Sequence, residues 1–250
     1  DQFGPALHPM QISHGRYLFA FVAISGAVAA MRPRFSDIQW RLHGARTFLG
    51  WSGVTLIFAT VAYIPMADAT AISFLNPVFA MILAIPLLGE KVGPWRWSAA
   101  GIALVGAMVL LRPTPESFQP AALLALGAAV FLGTEVIVIK RLSAREGPLQ
   151  ILFINNLLGL LLSSFAVAFV WQPVTMTQWV LLAGVGLAMA AAQACFVNGM
   201  ARADASYVAP FSYATLIFAA LYDAFFYGAI PDAVTLLGAS IIIAGGVLLA

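Results

Sequence analysis

Charged residues are scarce in this sequence, and their scarcity indicates the class of protein. Only 9% of the 250 residues are Asp, Glu, Lys or Arg, and 62% are hydrophobic, whereas a soluble domain has about 25% charged residues. Because water cannot be the main solvent of such a surface, the sequence predicts an integral membrane protein. The net charge of +2 and the scattered basic residues predict no nucleic-acid partner.

Cysteine and histidine are almost absent as well. Cys195 is the one cysteine, which excludes an intrachain disulfide and any multi-cysteine metal site. His8, His14 and His43 lack the spacing of metal ligands and lie near predicted helix ends, as interfacial histidines do. No nucleophile elbow, phosphate loop or paired acids occur. We therefore expect no catalytic residue, no metal and no cofactor, with a membrane-embedded enzyme or a scaffold as the less favoured classes.

Long apolar runs predict nine membrane-spanning helices. A spanning helix needs about 20 mainly apolar residues, and these runs lack the alternation of barrel strands. The predicted helices, a to i, cover residues 14–31, 45–64, 67–88, 95–112, 119–140, 149–171, 177–198, 204–229 and 233–250.

Short motifs of the first half return in the second half. "HPMQI", from His8, returns as "GPLQI", from Gly147, and "IQW", from Ile38, returns as "TQW", from Thr177, at the same spacing, which is called the repeat offset below. Ala-Asp-Ala around Asp68 also returns, at nearly this spacing. Helices a to d therefore correspond to f to i, and helix e has no counterpart. This predicts a five-helix unit whose first copy lacks its first helix, as expected for a truncated N-terminus.

The distribution of Lys and Arg predicts that the two copies have opposite orientations. Connectors rich in these residues face the cytoplasm. Arg32, Arg34, Arg41, Arg46, Lys91, Arg96, Lys140, Arg141, Arg145 and Arg202 fall on this side, and Arg16 and Arg112 on the other. The connector between c and d is then inside, whereas its counterpart between h and i is outside. Inverted repeats are the architecture of secondary transporters, whose substrate site lies near the membrane midplane.

Two stretches of the sequence resemble the end of the EamA repeat of the drug/metabolite transporter superfamily. The stretch from Ala67 to Pro113 has, in order, an apolar run with an internal proline, "LLGE", a tryptophan-containing connector and a Gly-rich helix; the second copy begins at Ala203. The resemblance implies an all-α membrane fold of ten helices in two inverted five-helix units, here with nine helices. Residues 1–113 would form the first repeat and residues 114–250 the second. The Glu of "LLGE" is absent from the second copy.

The resemblance also implies a function. It indicates a secondary transporter of the bacterial inner membrane that moves a small organic metabolite through the lipid bilayer by alternating access. The sequences "DATAISF" and "VAPFSY" are similar to those of importers of riboflavin and of S-adenosylmethionine, and also to those of exporters of amino acids and drugs. Cargo, direction and homodimer formation therefore stay open at this point.

Two prolines inside predicted helices indicate where the substrate binds. Pro77 and Pro210 each remove a helical hydrogen bond, and the carbonyls that they free are tolerated where backbone lines a cavity. In the alternative, Asn76 caps the break and the aromatic rings make lipid or core contacts. Asp68 and Asp204 are predicted to cap helix starts. The predicted substrate contacts are Ser73, Asn76, Tyr207, Phe211, Tyr213, Trp51, Arg16, Asn155 and Gln193.

Acids within the predicted helices are candidates for proton coupling or ion pairing, because a charge at the bilayer centre costs about 2.5 to 3.5 kcal/mol. Glu135 is expected either to pair with a Lys or Arg on the cytoplasmic side or to carry a proton. Arg16 is expected either to reach the interface or to line the outer vestibule, paired with Asp223.

Overall fold

The protein is described by a computed structural model that covers residues 7–35, 37–115, 119–228 and 231–249. Within these ranges every regular element is a helix: α1 Pro9–Met31, α2 Trp40–Val61, α3 Met66–Ser73, α4 Asn76–Leu88, α5 Pro94–Leu111, α6 Ala122–Ser143, α7 Pro148–Val167, α8 Met176–Arg202, α9 Ala205–Val208, a 3-10 helix Ala209–Tyr213, α10 Ala214–Tyr227 and α11 Ala233–Leu249. Predicted helix c is α3 followed by α4, and predicted helix h runs from α9 to α10. The described residues therefore contain the nine predicted helices.

Seven helical stretches of the described residues are long and apolar enough to cross a membrane. They are Pro9–Met31, Met66–Leu88, Pro94–Leu111, Ala122–Ser143, Pro148–Val167, Met176–Arg202 and Ala205–Phe226, and Ala233–Leu249 is a shorter apolar helix. Less than half of each of these spans is buried inside the protein, as expected for helices that are solvated by lipid. The membrane class predicted from composition is confirmed.

The chain forms two compact units that differ from the two sequence repeats. Unit 1 contains Asp1–Thr47 and Ile139–Arg202, and unit 2 contains Phe48–Val138 and Ala203–Ala250. Each unit thus takes helices from both halves of the sequence. The repeat boundary predicted between residues 113 and 114 concerns the sequence copies and stays a prediction.

Helices α5 and α11 of unit 2, which are repeat counterparts, pack against each other in antiparallel orientation. A Cβ atom added to Gly106 would lie 2.8 Å from the carbonyl oxygen of Gly238, and one added to Gly245 would lie 2.9 Å from that of Ala99. Gly106 of α5 and Gly245 of α11 are separated by the repeat offset, and so are Ala99 of α5 and Gly238 of α11. The second contact is therefore the first one with the roles of the two helices exchanged. Such exchange is what a two-fold axis produces, so this pair shows the predicted inversion.

Helices α1 and α7 of unit 1 are also counterparts and are also antiparallel. Near the start of α1, Gln11 Nε2 donates a hydrogen bond to the carbonyl oxygen of Gln172 at 2.7 Å, beyond the end of α7. Further along α1, the ring of Tyr17 lies over Gly159 and leaves no room for a Cβ there. Rising residue numbers on α1 therefore meet falling numbers on α7. The inverted repeat is thus visible within each unit separately.

Candidate functional site

The third predicted helix is broken between α3 and α4. Asn76 Nδ2 donates a hydrogen bond to the carbonyl oxygen of Ser73 at 2.9 Å. Pro77 lies in the first turn of α4, where its missing N–H removes no helical bond. The Ser73 carbonyl, which lies four residues before Pro77 and was predicted to be free, therefore accepts a hydrogen bond from Asn76, as in the capping alternative.

The eighth predicted helix is broken at its 3-10 segment, which contains Pro210. Gly89 and Gly228 end the two broken helices in the left-handed conformation, with φ of 70° and 65°. These glycines are separated by the repeat offset, whereas Asp68 and Asp204 at the helix starts are slightly closer together in sequence. The stretch from Asp204 to Gly228 is therefore longer than the stretch from Asp68 to Gly89, by about one helical turn. The 3-10 helix lies within this longer stretch.

The two breaks face each other within unit 2. The ring of Tyr213 stacks on that of Phe74, with centroids 5.8 Å apart, and its hydroxyl donates a hydrogen bond to the Phe74 carbonyl oxygen at 2.9 Å. Tyr213 is completely buried. Because Phe74 and Tyr213 are themselves separated by the repeat offset, this contact lies on the repeat axis and supplies a second carbonyl of the first break with a donor.

The other predicted contacts in unit 2 differ in their surroundings. Ser73 is buried, and its hydroxyl donates to the Thr70 carbonyl oxygen at 2.8 Å. The rings of Tyr207 and Phe211 lie 5.5 Å apart. Phe211 and Trp51 are 41% and 53% exposed. The structure thus brings Ser73, Asn76 and Tyr213 together at the break, whereas their contact with a substrate stays a prediction.

In unit 1 the structure adds an asparagine that sequence reasoning missed. Asn156 is completely buried and its amide donates to Gln193 Oε1 at 3.0 Å, whereas its neighbour Asn155, which was the predicted residue, is half-buried. The double asparagine within an apolar helix was the available signal, but the helical register that buries one of the two was not. The Arg16 guanidinium lies 4.4 Å from the centre of the Tyr17 ring, a cation–π contact.

The two acids predicted for ion pairing or proton coupling lie in different surroundings. Glu135 is half-buried, and an added Cβ on Gly50 would lie 3.0 Å from its Oε2 atom, so its carboxylate packs on the backbone of α2. Asp223 is exposed on α10. Arg16 and Asp223 belong to different units, and their pairing stays a prediction.

The capping role predicted for Asp68 and Asp204 is wrong. Asp68 lies in the first turn of α3, whose cap is Pro65, and accepts hydrogen bonds from Thr114 N at 2.7 Å and Oγ1 at 2.6 Å. Asp204 occupies the cap position of α9 but makes no capping bond, and its Oδ2 accepts from Arg96 at 2.8 Å. Both carboxylates bind donors from other segments because those donors come within reach in the folded protein.

The start of α9 is capped by Glu90 of the "LLGE" motif. Its two carboxylate oxygens accept the backbone N–H groups of Ala205 at 2.7 Å and Ser206 at 2.9 Å. A carboxylate at this end of a helix also interacts favourably with the helix dipole. An acid of the first copy thus stabilises a helix start of the second copy. In the second copy the corresponding position is Ala229, which lies outside the described residues.

At the far end of α5, Arg112 binds Asp232, which precedes α11. Arg112 donates to Asp232 Oδ2 at 2.6 Å, and Thr235 N donates to Oδ1 at 2.9 Å. The Arg112 hydrogen bond, aided by those from Thr235, holds the pKa of Asp232 well below its ordinary value. Since both side chains are about half exposed, this pair is screened by solvent.

Comparison with known proteins agrees with this architecture. The profile of the EamA-like transporter family matches residues 2–112 and 119–250. A riboflavin transporter of Vibrio cholerae is 33% identical, over 97% of this chain and 82% of that protein. An S-adenosylmethionine uptake transporter of Rickettsia bellii is 27% identical, over 96% and 83%. A pseudopaline exporter of Pseudomonas aeruginosa is 26% identical, over 79% and 70%.

A solved crystal structure has the same fold. It superposes with a TM-score of 0.82 at 20% sequence identity, covering 98% of this chain and 89% of the other. At this identity the likeness concerns the fold alone. Together with the apolar spans, the inverted repeat and the matched profile, it leads to one conclusion: this chain, a multi-pass small-molecule transporter of the bacterial inner membrane, belongs to the EamA-like transporter family.

Proposed function

We propose that this protein carries an uncharged, flat heteroaromatic metabolite of the riboflavin type across the membrane. The observation that supports this class is the chemistry of the two helix breaks, where the predicted contacts are amide, hydroxyl and aromatic groups without charge. Such a set suits a planar solute with several hydrogen-bonding groups. The greater identity to riboflavin transporters than to S-adenosylmethionine transporters supports the same cargo.

A cationic cargo such as S-adenosylmethionine is the second candidate, favoured by its own set of relatives. A sulfonium needs a carboxylate or an aromatic cage. Asp68, Glu90 and Asp204, the acids at the ends of the broken helices, already accept hydrogen bonds from protein donors. A neutral cargo requires none of these bonds to break.

We also propose that transport proceeds by alternating access. In an inverted repeat, each copy can adopt the conformation of the other, so an inward-open state has an outward-open equivalent. The paired breaks are proposed as the place where the helices bend during this exchange, because two carbonyls of the first break accept hydrogen bonds from side chains and the second break is a short 3-10 helix. Direction is then set by the gradients and not by the fold.

Counterflow in sealed vesicles tests this proposal. Vesicles that contain the purified protein and unlabelled riboflavin are diluted into labelled riboflavin, and internal label is measured. We expect transient accumulation of label, which a carrier produces in either direction and which an enzyme or scaffold does not. The same experiment with S-adenosylmethionine should show no accumulation. Accumulation of S-adenosylmethionine alone would replace the proposed cargo by the second candidate.

Asn76→Ala tests the proposed site. Loss of one amide contact, worth about 0.5 to 1.5 kcal/mol, should weaken apparent riboflavin affinity about two- to tenfold. The matched control is Ser240→Ala on α11, which removes an exposed hydroxyl that is bonded within its own helix. Thermal stability is measured on the same samples. If Asn76→Ala lowers stability but the folded protein binds riboflavin with wild-type affinity, Asn76 only caps the break.

A further inference from the structure

A buried histidine–glutamate pair lies in unit 1 where α2 begins and where the chain turns from α6 to α7. His43 Nε2 and Glu146 Oε2 are 2.9 Å apart, and both side chains are completely inaccessible. The same carboxylate accepts Gln39 N at 2.7 Å and Gln150 Nε2 at 2.8 Å. One carboxylate therefore joins the start of α2 to the start of α7.

The sequence repeat shows that the pair is not required by the fold of this corner. The repeat offset relates Gln150 to Gln11 and Gln39 to Gln178, so the glutamines occur in both copies. The same offset places leucines, Leu182 and Leu7, where His43 and Glu146 stand. Leu182 is buried and packs on Gly15 of α1. The equivalent positions of the other copy are thus apolar, and the ionisable pair is an addition to one copy.

The second nitrogen of His43 gives the pair two distinct protonation states. Nδ1 is buried and has no hydrogen-bond partner among the described residues. With one proton on Nε2, the imidazole is neutral, Nδ1 is a bare acceptor and the carboxylate keeps its donors. A further proton makes the buried pair neutral as a whole. If Glu146 remains ionised, the imidazole is charged and carries protons on both Nε2 and Nδ1. If Glu146 takes the proton from Nε2, the imidazole is neutral and carries its proton on Nδ1, so both states have an N–H at Nδ1.

This N–H has no acceptor in the conformation described here. Because a buried donor without a partner is unfavourable, proton binding favours any conformation in which water reaches Nδ1. Such a conformation separates the two segments that Glu146 joins. Proton binding and opening of this end of unit 1 are therefore linked.

No other described side chain at this end of unit 1 has the same ordinary titration range. The charged residues in the connectors and helix ends on this side of unit 1 are basic, apart from the exposed Asp37 and the buried Glu146, and they are Arg32, Arg34, Arg41, Arg46, Lys140, Arg141, Arg145 and Arg202. Arg145 donates to Gln39 Oε1 at 3.4 Å, and Lys140 donates to the Met200 carbonyl oxygen at 2.8 Å. Only histidine ordinarily changes charge between about pH 5 and 8.

We propose that the His43–Glu146 pair is a proton-binding site whose protonation favours opening of this end of the transporter. The proton is bound at Nδ1 in the open conformation and returns to the same side before the end closes, so the pair controls the carrier without moving a proton across the membrane. The basic connectors place this end in the cytoplasm. An effect on transport rests on the proposed function, but proton-linked opening does not.

Hydrogen–deuterium exchange of the substrate-free protein tests proton-linked opening. Wild type is compared with His43→Gln, whose amide can still donate to Glu146 but cannot titrate, and with His14→Gln as a second histidine of unit 1. On lowering the pH from about 7.5 to 5.5, exchange of residues 39–46, corrected for intrinsic rates, should rise at least about threefold in wild type and His14→Gln but not in His43→Gln. An equal rise in all three proteins overturns the proposal.

Vesicle counterflow tests the effect on transport. When the pH is lowered from about 7.5 to 5.5, the rate of riboflavin counterflow should change at least about threefold more in wild type than in His43→Gln. The double variant His43→Leu/Glu146→Leu, which copies the residues of the other repeat, should behave like His43→Gln and guards against a folding defect of the single variant. A wild-type pH response in either variant overturns the effect on transport. Lack of riboflavin counterflow in wild type contradicts only the cargo, because the exchange experiment contains no substrate.

Discussion

Tyr213→Phe provides a direct test of how the two helix breaks stabilise each other. The substitution keeps the ring that stacks on Phe74 and removes the hydroxyl that donates to the Phe74 carbonyl oxygen at 2.9 Å. No volume is lost beyond one oxygen, and no charge changes. The effect on stability therefore reports the hydrogen bond itself.

The size of the effect follows from the burial of this bond. Tyr213 is completely buried, so water cannot replace the lost donor, and an acceptor left unsatisfied costs about 1 to 3 kcal/mol. Hydrogen bonds between helices in membranes average about 0.6 kcal/mol because the unfolded chain also finds partners. We expect Tyr213→Phe to lower the free energy of unfolding by about 1 kcal/mol.

Chemical unfolding in detergent micelles measures this quantity, with Tyr222→Phe on the exposed surface of α10 as the matched control. The double variant Asn76→Ala/Tyr213→Phe adds a second criterion, because the two side chains serve adjacent carbonyls. Once one donor is lost the break loosens, so the combined loss should be smaller than the sum of the single losses by about 0.5 kcal/mol or more. A Tyr213→Phe protein as stable as the Tyr222→Phe control would refute the stabilising role of this bond.

Three further predictions concern the ends and the packing of unit 2. Glu90→Ala removes the two acceptors that cap α9 and should lower the free energy of unfolding by about 1 to 2 kcal/mol; wild-type stability would contradict the cap. Gly106→Ala should cost about 1 to 3 kcal/mol because its Cβ would meet α11 backbone at 2.8 Å, whereas Gly26→Ala, with no atom within 4 Å, should be neutral or stabilising, and equal effects would exclude tight packing. Because the Arg112 hydrogen bond lowers the pKa of Asp232 from its ordinary value of 3.8, their pair stabilises the fold above this pH and loses its effect as the pH falls from there. Unfolding followed from pH 7 to below pH 4 should therefore show a shallower acid decline for Asp232→Asn than for wild type, and identical declines would argue against the pair.

The sequence determined the solvent, the helices and the symmetry of this protein. Scarce charges and long apolar runs require lipid around the helices whatever their arrangement, because the backbone and the side chains must be solvated locally. The repeat offset and the odd number of helices in each copy predicted the inversion. The antiparallel packing of α5 on α11 and of α1 on α7 confirms it.

The positions of the helix breaks were also predictable, since proline is favoured in the first turn of a helix, where Pro77 and Pro210 lie. The donor that compensates the first break could be anticipated in part. Asn76 is close in sequence to the Ser73 carbonyl that it binds, so local geometry suffices to propose this bond. Tyr213 lies in the other copy of the repeat, far along the chain from Phe74, and only the meeting of the two breaks in space identifies its role.

The polar partners were decided by the tertiary structure alone. Asp68 was expected to cap its own helix, but it binds Thr114. The cap of α9 comes from Glu90, which is separated from α9 by the four helices α5 to α8 and meets it only in the folded protein. A carboxylate takes the best donors within about 3 Å, and folding brings together donors that are distant along the chain. Glu146 and His43 carry no mark in the sequence for the same reason: their burial and pairing exist only where α2 meets the turn before α7.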